Sequence, residues 1–283
     1  MAPISRAAGP GIGHLAPLRI VASITPIMNV ECIAKEDHHS VTTNACTSPQ
    51  LVNPIWQAAT TRQRHLAYGD GAARRFYNDV LPLAALENHS AEAVAALTAL
   101  VSPGEQVMIF EEPPRLDARQ WREARRIPGY QMVCERLLPQ KPRSGEPASI
   151  MLDPVADAEE MVALKAIAFP GLFGIRTPQL GGYRGIRLNN DPDGQLVAMA
   201  GERLALPGYR EVSAVCTHPA HLGHGYAQQL TREVTAAVLA DGEIPFLHVA
   251  GANGAAMHIY EQLGFVRCAD ALFVLLERIA QES

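Results

Sequence analysis

The residues best suited to chemistry lie near the C-terminus, in the stretch HLGHGYAQQL at 221–230. Gly223, Gly225 and Ala227 stand at alternate positions, where an apolar, helix-favouring run begins. Small residues let a backbone approach a ligand closely. The free N–H groups of a helix start, backed by the positive end of the helix dipole, favour phosphate or pyrophosphate. The pattern therefore points to a phosphorylated cofactor. GxxxxGK[ST] is absent, which argues against the usual nucleoside-triphosphate loop. GHGYA shares only part of GxGxxG, and a dinucleotide fold also needs an acidic residue at the end of the next strand. Glu243 has the right separation but precedes the apolar run IPFLHVA. Standing alone, such a turn fits an ordinary strand-to-helix connection at least as well.

A second stretch, NGAAMHIYEQLGF at 253–265, lies downstream. Asn253 suits a helix cap, and Tyr260 falls inside the helix as either a packing residue or an acid. Together, REVSAVCTHPAHLGHGYAQQL at 210–230 and NGAAMHIYEQLGF resemble the cofactor-binding strand, pyrophosphate loop and Asn…Tyr-x-x-x-Gly-Phe helix of the GNAT acyltransferase superfamily. The resemblance runs from about residue 150 to 278, a little under half the chain. VCTHP at 215–219 resembles in particular the glycine N-acyltransferase-like branch.

That resemblance implies an N-acyltransferase using acetyl-CoA as donor, with no metal, and direct attack by a primary amine in a ternary complex. It places Val215, Cys216 and Thr217 beside the pantetheine arm, with a backbone N–H polarising the thioester carbonyl. Leu222, Gly223, His224, Gly225, Tyr226 and Ala227 form the pyrophosphate loop, and Asn253 contacts the cofactor arm. One departure is Leu222, where the family usually has Gln or Arg; His221 and His224 supply replacement charge only when protonated. Acyl transfer needs a neutral amine, a stabilised oxyanion and a protonated leaving thiolate. The resemblance assigns the last task to Tyr260 and the base to Glu211, with Glu202 as rival. Glu211 reads equally well as a solvated carboxylate at a strand end. His218 and His248 read as structural, and Cys216 as a buried thiol rather than a nucleophile. Two other functions stay open: a degenerate acyl-CoA-binding sensor or scaffold, and a nicotinamide-dependent oxidoreductase. The expected acceptor is a small-molecule or peptide amine, with no nucleic acid or membrane partner and a monomer or homodimer as the working unit.

The elements that must position these groups follow from punctuation. The punctuation gives a mixed α/β chain with a smaller N-terminal αβ lobe, and the resemblance implies a GNAT-like, mostly antiparallel twisted sheet flanked by helices. Residues 1–50 mix Gly, Pro, Ser and Thr without periodicity and read as a poorly ordered extension, with one short strand near 19–24. Residues 51–138 read as the lobe: Asn53-Pro54 and Ser90 start helices, Pro103-Gly104 ends one, and residues 106–110 form a strand. Pro-, Ser- and Lys-rich residues 139–149 read as a linker, and 150–283 as the acyltransferase domain. Within it, YRGIR and QLVAMAGERLAL flank a tight turn, followed by a strand through Thr217 and a helix through Ala240.

Composition bounds the rest. The 283 residues are 48% hydrophobic and 19% charged with net charge -5, which leaves no global basic footprint for nucleic acid. No run approaches the ~18 apolar residues of a membrane span. Five widely spaced cysteines without a CxxC pair argue against a disulfide framework or zinc site, and fit a reducing cytoplasm.

Overall fold

Polar caps set the helix starts in the computed structural model, which describes residues 44–140, 145–191 and 193–280. The expected strand near 19–24 and most of the N-terminal extension lie outside these residues. In chain order the elements are α1 (Pro54–Thr60), β1 (Ala67–Tyr68), β2 (Ala73–Phe76), β3 (Ala84–Leu86), α2 (Ala91–Leu100), β4 (Gln106–Ile109), β5 (Trp121–Val133), β6 (Ile150–Leu152), α3 (Ala158–Ala168), β7 (Tyr183–Arg187), β8 (Leu196–Leu206), β9 (Tyr209–Thr217), α4 (Tyr226–Ala240), β10 (Ile244–Ala250), α5 (Gly254–Leu263) and β11 (Val266–Arg278). Asn53, Ser90 and Asn253 each accept a backbone N–H three residues on, satisfying a donor that the first helical turn leaves open. None of these helices is long and apolar enough to cross a membrane.

Eight strands form one sheet in the order β4-β11-β5-β10-β9-β8-β7-β6. All its neighbours are antiparallel except β9 and β10. β5 corrects the expected domain division. It comes from the first half of the chain yet lies between β11 and β10 of the second, pairing along 121–133 with β11 and along 129–133 with β10. The cores merge as well. Ile55, Leu66 and Leu81 share one buried cluster with Val133, Leu204, Tyr209 and Phe246. Residues 51–138 are therefore not a separate folded body, because removing them would leave β10 and β11 with bare edges. What remains of the lobe is a small β1-β2-β3 sheet against which α1 and α2 pack.

The sequence WREARRIPGYQMV of β5 hides its role. Between a buried Trp121 and a buried end at 131–133, residues 122–126 are mostly charged and exposed. Pro128 pairs with Leu272 on the β11 side and sits just beyond the last β10 pair, Gly129 with Ala250. Its missing N–H thus costs no ladder bond. Gly129 is required by close approach: a Cβ there would come within 2.3 Å of the Val249 carbonyl oxygen.

The cysteine expectation also changes. Cys46 and Cys268 form a disulfide across 222 residues. Cys268 sits where the β11 register slips against β5, between Arg267 and Ala269. The pairing depends on that long-range register, which cysteine spacing does not reveal. It removes the ground on which the cysteines argued for a reducing compartment. Cys134 and Cys216 are free and buried, as small hydrophobes are.

Candidate active site

The site starts from a fork in the sheet. β9 and β10 pair in parallel only at 209–211 and 244–246. Beyond Glu211 they part, while β10 keeps its partner β5 as far as Ala250. The cause lies in β9: Ala214 adopts φ 54°, and the pairing with β8 slips between Met199 and Gly201. Such a bulge bends and twists a strand. His218 N–H bonds the Val197 carbonyl on the β8 side at 2.7 Å. Strand alternation then turns the Thr217 N–H, and that of Val215 two residues before it, toward the fork.

The glycine turn closes one end of this opening. A short turn at Pro219–His221 is capped by His218, whose Nδ1 accepts from Ala220 N–H. Gly223 and Gly225 lie at φ 82° and 81°, the left-handed region that favours glycine. Gly225 starts α4 and carries no capping side chain, and the first turn has no acidic residue. The N–H groups of Tyr226 and Ala227 therefore stand at an open positive helix end. His224 sits at ring contact with Tyr226, its Nδ1 shared by the His221 and Leu222 carbonyls. Leu222 is 63% exposed, so the chain spends an apolar side chain on solvent at this loop. These are the features a diphosphate-bearing arm requires: close backbone, free donors and no competing carboxylate.

Tyr260 of α5 packs, half-buried, in the apolar cluster that holds Val212 and Leu247, one from each prong of the fork, together with Val215 and Tyr226. Burial pushes its phenol up to about 12, so the hydroxyl keeps its proton throughout the working pH range. Asn253 caps the same helix, its side-chain oxygen accepting from Ala256 at 3.2 Å. Its amide N–H groups are not used by that cap.

Glu211 sits in a buried ion-paired cluster. It is fully buried rather than a solvated strand end. Arg203 Nε donates to it at 2.8 Å, a second Arg203 nitrogen donates to its other oxygen, and His248 Nδ1 lies 2.7 Å away. Gln131 Nε2 donates to the Leu51 carbonyl and meets His248 Nε2 at 3.1 Å. With Leu51 fixing the donor end of Gln131, His248 accepts at Nε2 and carries its proton at Nδ1, toward Glu211. Burial pushes the Glu211 carboxyl up, but Arg203 and the His248 hydrogen bond outweigh it and hold it at about 2. A carboxylate held that low is a poor proton acceptor. The rival, Glu202, pairs with Arg210 at 3.2 Å.

The solved structures agree with this geometry. A protein from Novosphingobium aromaticivorans of the GNAT acetyltransferase family is 32% identical and superposes with a TM-score of 0.72, over 82% of this chain and 99% of its own. The chain belongs to the GNAT family. A GCN5-related N-acetyltransferase from Kribbella flavida shares the fold at 22% identity, with a TM-score of 0.50 over 86% of this chain and 98% of its own. The family profile described as FR47-like protein matches residues 190–274, which contain the fork, the glycine turn and α5. A comparison with curated proteins gave no match. GNAT membership also fits the failure of the dinucleotide reading: Glu243 is engaged by Arg62 and Arg210, and among the paired strands of the large sheet only β9 and β10 run parallel.

Val215 and Thr217 lie on the β9 prong, the 222–227 loop leads into α4 directly after it, Tyr260 packs with Val212, Val215, Tyr226 and Leu247, and Asn253 caps the helix that carries Tyr260. Cys216 is turned from the fork into the α3-side core with Leu164 and Tyr183. Arg203 and Gln131 are the members of the Glu211 cluster that the sequence reading does not name, whereas His248 is the residue it reads as structural. A signal existed for Arg203. A hairpin about Pro207-Gly208 sets Glu202-Arg203 and Arg210-Glu211 on neighbouring strands, within diagonal reach of each other. No comparable signal existed for Gln131, since β5 itself was not recognised.

Proposed function

We propose that this chain transfers an acyl group, acetyl by default, from acetyl-CoA to a primary amine by direct attack. The observation that carries the reading is the opening between β9 and β10 beside an uncapped, glycine-rich helix start. When bound, acetyl-CoA supplies an activated thioester. The 222–227 loop and the first turn of α4 bind its pyrophosphate through backbone N–H groups. Backbone N–H groups at Val215 and Thr217 bond the acyl oxygen and stabilise charge as it develops there. Asn253 donates from its spare amide N–H to the cofactor arm. Tyr260 donates a hydrogen bond to the departing sulfur. Its raised pKa suits a donor that stabilises the thiolate while the C–S bond breaks, and makes full proton transfer costly.

Glu211 serves in this reading as a positioning group. Its charge holds Arg203 and His248 in place beneath the acceptor, and the amine reacts in its neutral form with its proton passing to water. The rate then rises with pH toward the acceptor's own pKa. The phrase VCTHP supports a place near the glycine N-acyltransferase-like branch. A second reading, binding without turnover, is favoured by the exposed Leu222 in the loop and by the engaged Glu211.

Calorimetry with acetyl-CoA, CoA and desulfo-CoA tests the donor, and CoA release across a panel of primary amines tests turnover. Saturable binding with amine-dependent release supports transfer. Binding with no release from any amine moves the assignment to the sensor reading, and no binding removes both.

A further inference from the structure

Between Arg210 and Arg232 the chain carries no lysine or arginine. The glycine turn that would hold a diphosphate lies inside that gap, and Arg232 beyond it is paired with Glu146 at 3.1 Å. Histidines stand in the gap instead, at 218, 221 and 224. Their rings form a row that ends on α4. Centroids are 5.6 Å apart from His218 to His221, 6.4 Å from His221 to His224 and 5.3 Å from His224 to Tyr226. Among the described residues, carboxylates reach a histidine within 4.0 Å only at His89 and His248, so no acid pairs with this row.

Hydrogen bonding separates the members of the row. His218 Nδ1 accepts from the Ala220 N–H at 3.2 Å, and a proton there would break that cap. His224 is the reverse case. Its Nδ1 lies 3.1 Å from both the His221 and the Leu222 carbonyl oxygens, which can only accept. Nδ1 therefore carries the proton of the neutral ring, and the next proton goes to Nε2. The two carbonyls turn the negative ends of their dipoles on the ring, which favours the imidazolium. His224 is exposed, and its ring lies 25° from that of Tyr226, the first residue of α4. The loop stays open on the Gly223 side, where a Cβ would meet no atom within 4 Å. The elements packed on α4 bring little charge here. β8 and β9 meet the turn at Val197 and Thr217, neither charged. α5 brings Tyr260 into the same apolar cluster as Tyr226, and His258, which accepts at Nε2 from Gln262 at 2.9 Å.

A neutral His224 has only a lone pair at Nε2, which a diphosphate repels. The imidazolium offers a donor and a charge there, and imidazole gains that proton between about pH 5 and 8. We propose that His224 binds the donor's diphosphate as an imidazolium, so that donor binding takes up a proton at this loop. This rests on the acyl-CoA reading above and adds a side-chain contact to the backbone ones. The proton comes from solvent, and no covalent bond changes. The bound anion raises the proton affinity of His224, so donor affinity is highest in mildly acidic solution and falls as pH rises.

The test uses the full chain and dephospho-CoA, whose diphosphate stays ionised across this range, whereas the 3′-phosphate of CoA itself titrates there. Calorimetry near pH 7.5 in buffers of different ionisation enthalpy should show uptake of roughly half a proton per ligand bound. Kd should rise about tenfold from pH 6 to pH 8. His224→Gln keeps a donor but cannot titrate, so it should bind without proton uptake and with a Kd that hardly moves over the same range. In wild-type protein the imidazole NMR signal of His224 should titrate at higher pH once dephospho-CoA is bound, a readout that needs no variant to fold. Binding without proton uptake overturns the proposal and leaves the acyl-CoA reading standing. Uptake that survives in His224→Gln overturns it equally, since another group then takes the proton. Binding of acetyl-CoA but not of dephospho-CoA also overturns it, because recognition then lies at the 3′-phosphate. An absence of binding by either ligand takes both readings down together.

Discussion

Glu211→Gln measures how strongly the ion-paired centre of the site holds the fold. The side chain is fully buried and receives two bonds from Arg203 and one from His248. Its carboxyl is held at about 2 against an ordinary 4.5. A depression of that size corresponds to roughly 3 kcal/mol. Because the folded value is the lower one, this stability is fully present above about pH 4.5 and is lost as pH falls toward 2. Glutamine removes the charge at every pH and strands the Arg203 guanidinium, whose side chain is only 16% exposed. Removing one partner of a buried pair typically costs about 3–5 kcal/mol. Urea unfolding at pH 7 should therefore show the midpoint of Glu211→Gln lowered by roughly 1 M for a chain of this size. Between pH 5 and 3 the wild type should lose stability steeply and the variant much less. Adding Arg203→Met to Glu211→Gln should recover part of the loss, because an apolar residue of similar volume removes the stranded charge. A variant within about 1 kcal/mol of wild type, or one with the same acid slope, would refute the ion-pair account.

Four further outcomes follow. Tyr260→Phe should lower the transfer rate at least about tenfold while acetyl-CoA affinity, read by calorimetry, hardly moves; full rate with the best acceptor removes the donor role. Gly225→Val forces a β-branched residue into φ 81° at the start of α4 and should weaken acetyl-CoA binding about tenfold or more, with kcat at saturation much less affected. Cys46→Ser should lower the unfolding free energy by about 2–5 kcal/mol in oxidising buffer and make no difference in strong reductant. Residues 150–283 expressed alone should fail to give a cooperative unfolding transition, because β5 is missing between β10 and β11; a monomeric, cooperatively folding fragment would show that the sheet closes without it.

What could be read from the sequence was local. Asn53, Ser90 and Asn253 announce helices within four residues, and Gly223 and Gly225 announce a turn that only their own backbone must satisfy. The candidate cofactor side rests almost wholly on such features, so its caps and its turn are legible without knowledge of the sheet. β5 obeys no local rule. Its mostly charged residues 122–126 suit solvent, its Pro128-Gly129 centre reads as a break, and its partners lie more than a hundred residues downstream. The Cys46–Cys268 bond is illegible for the same reason, since it depends on a register set by β5 and β11 together.

The acceptor side shows the limit most sharply. A glutamate on a strand is a base, a counter-ion or a solvated surface group, depending on what the fold places within 3 Å. For Glu211 the fold places Arg203 from the neighbouring strand, His248 from across the fork, and Gln131 and Leu51 behind His248. Each contact comes from a different element, and Gln131 comes from the strand that local patterns conceal. Residue type fixes what a side chain can do, but its proton affinity is fixed by neighbours that only long-range pairing delivers. In this protein the pairing holds the residue expected as base in a buried ion pair.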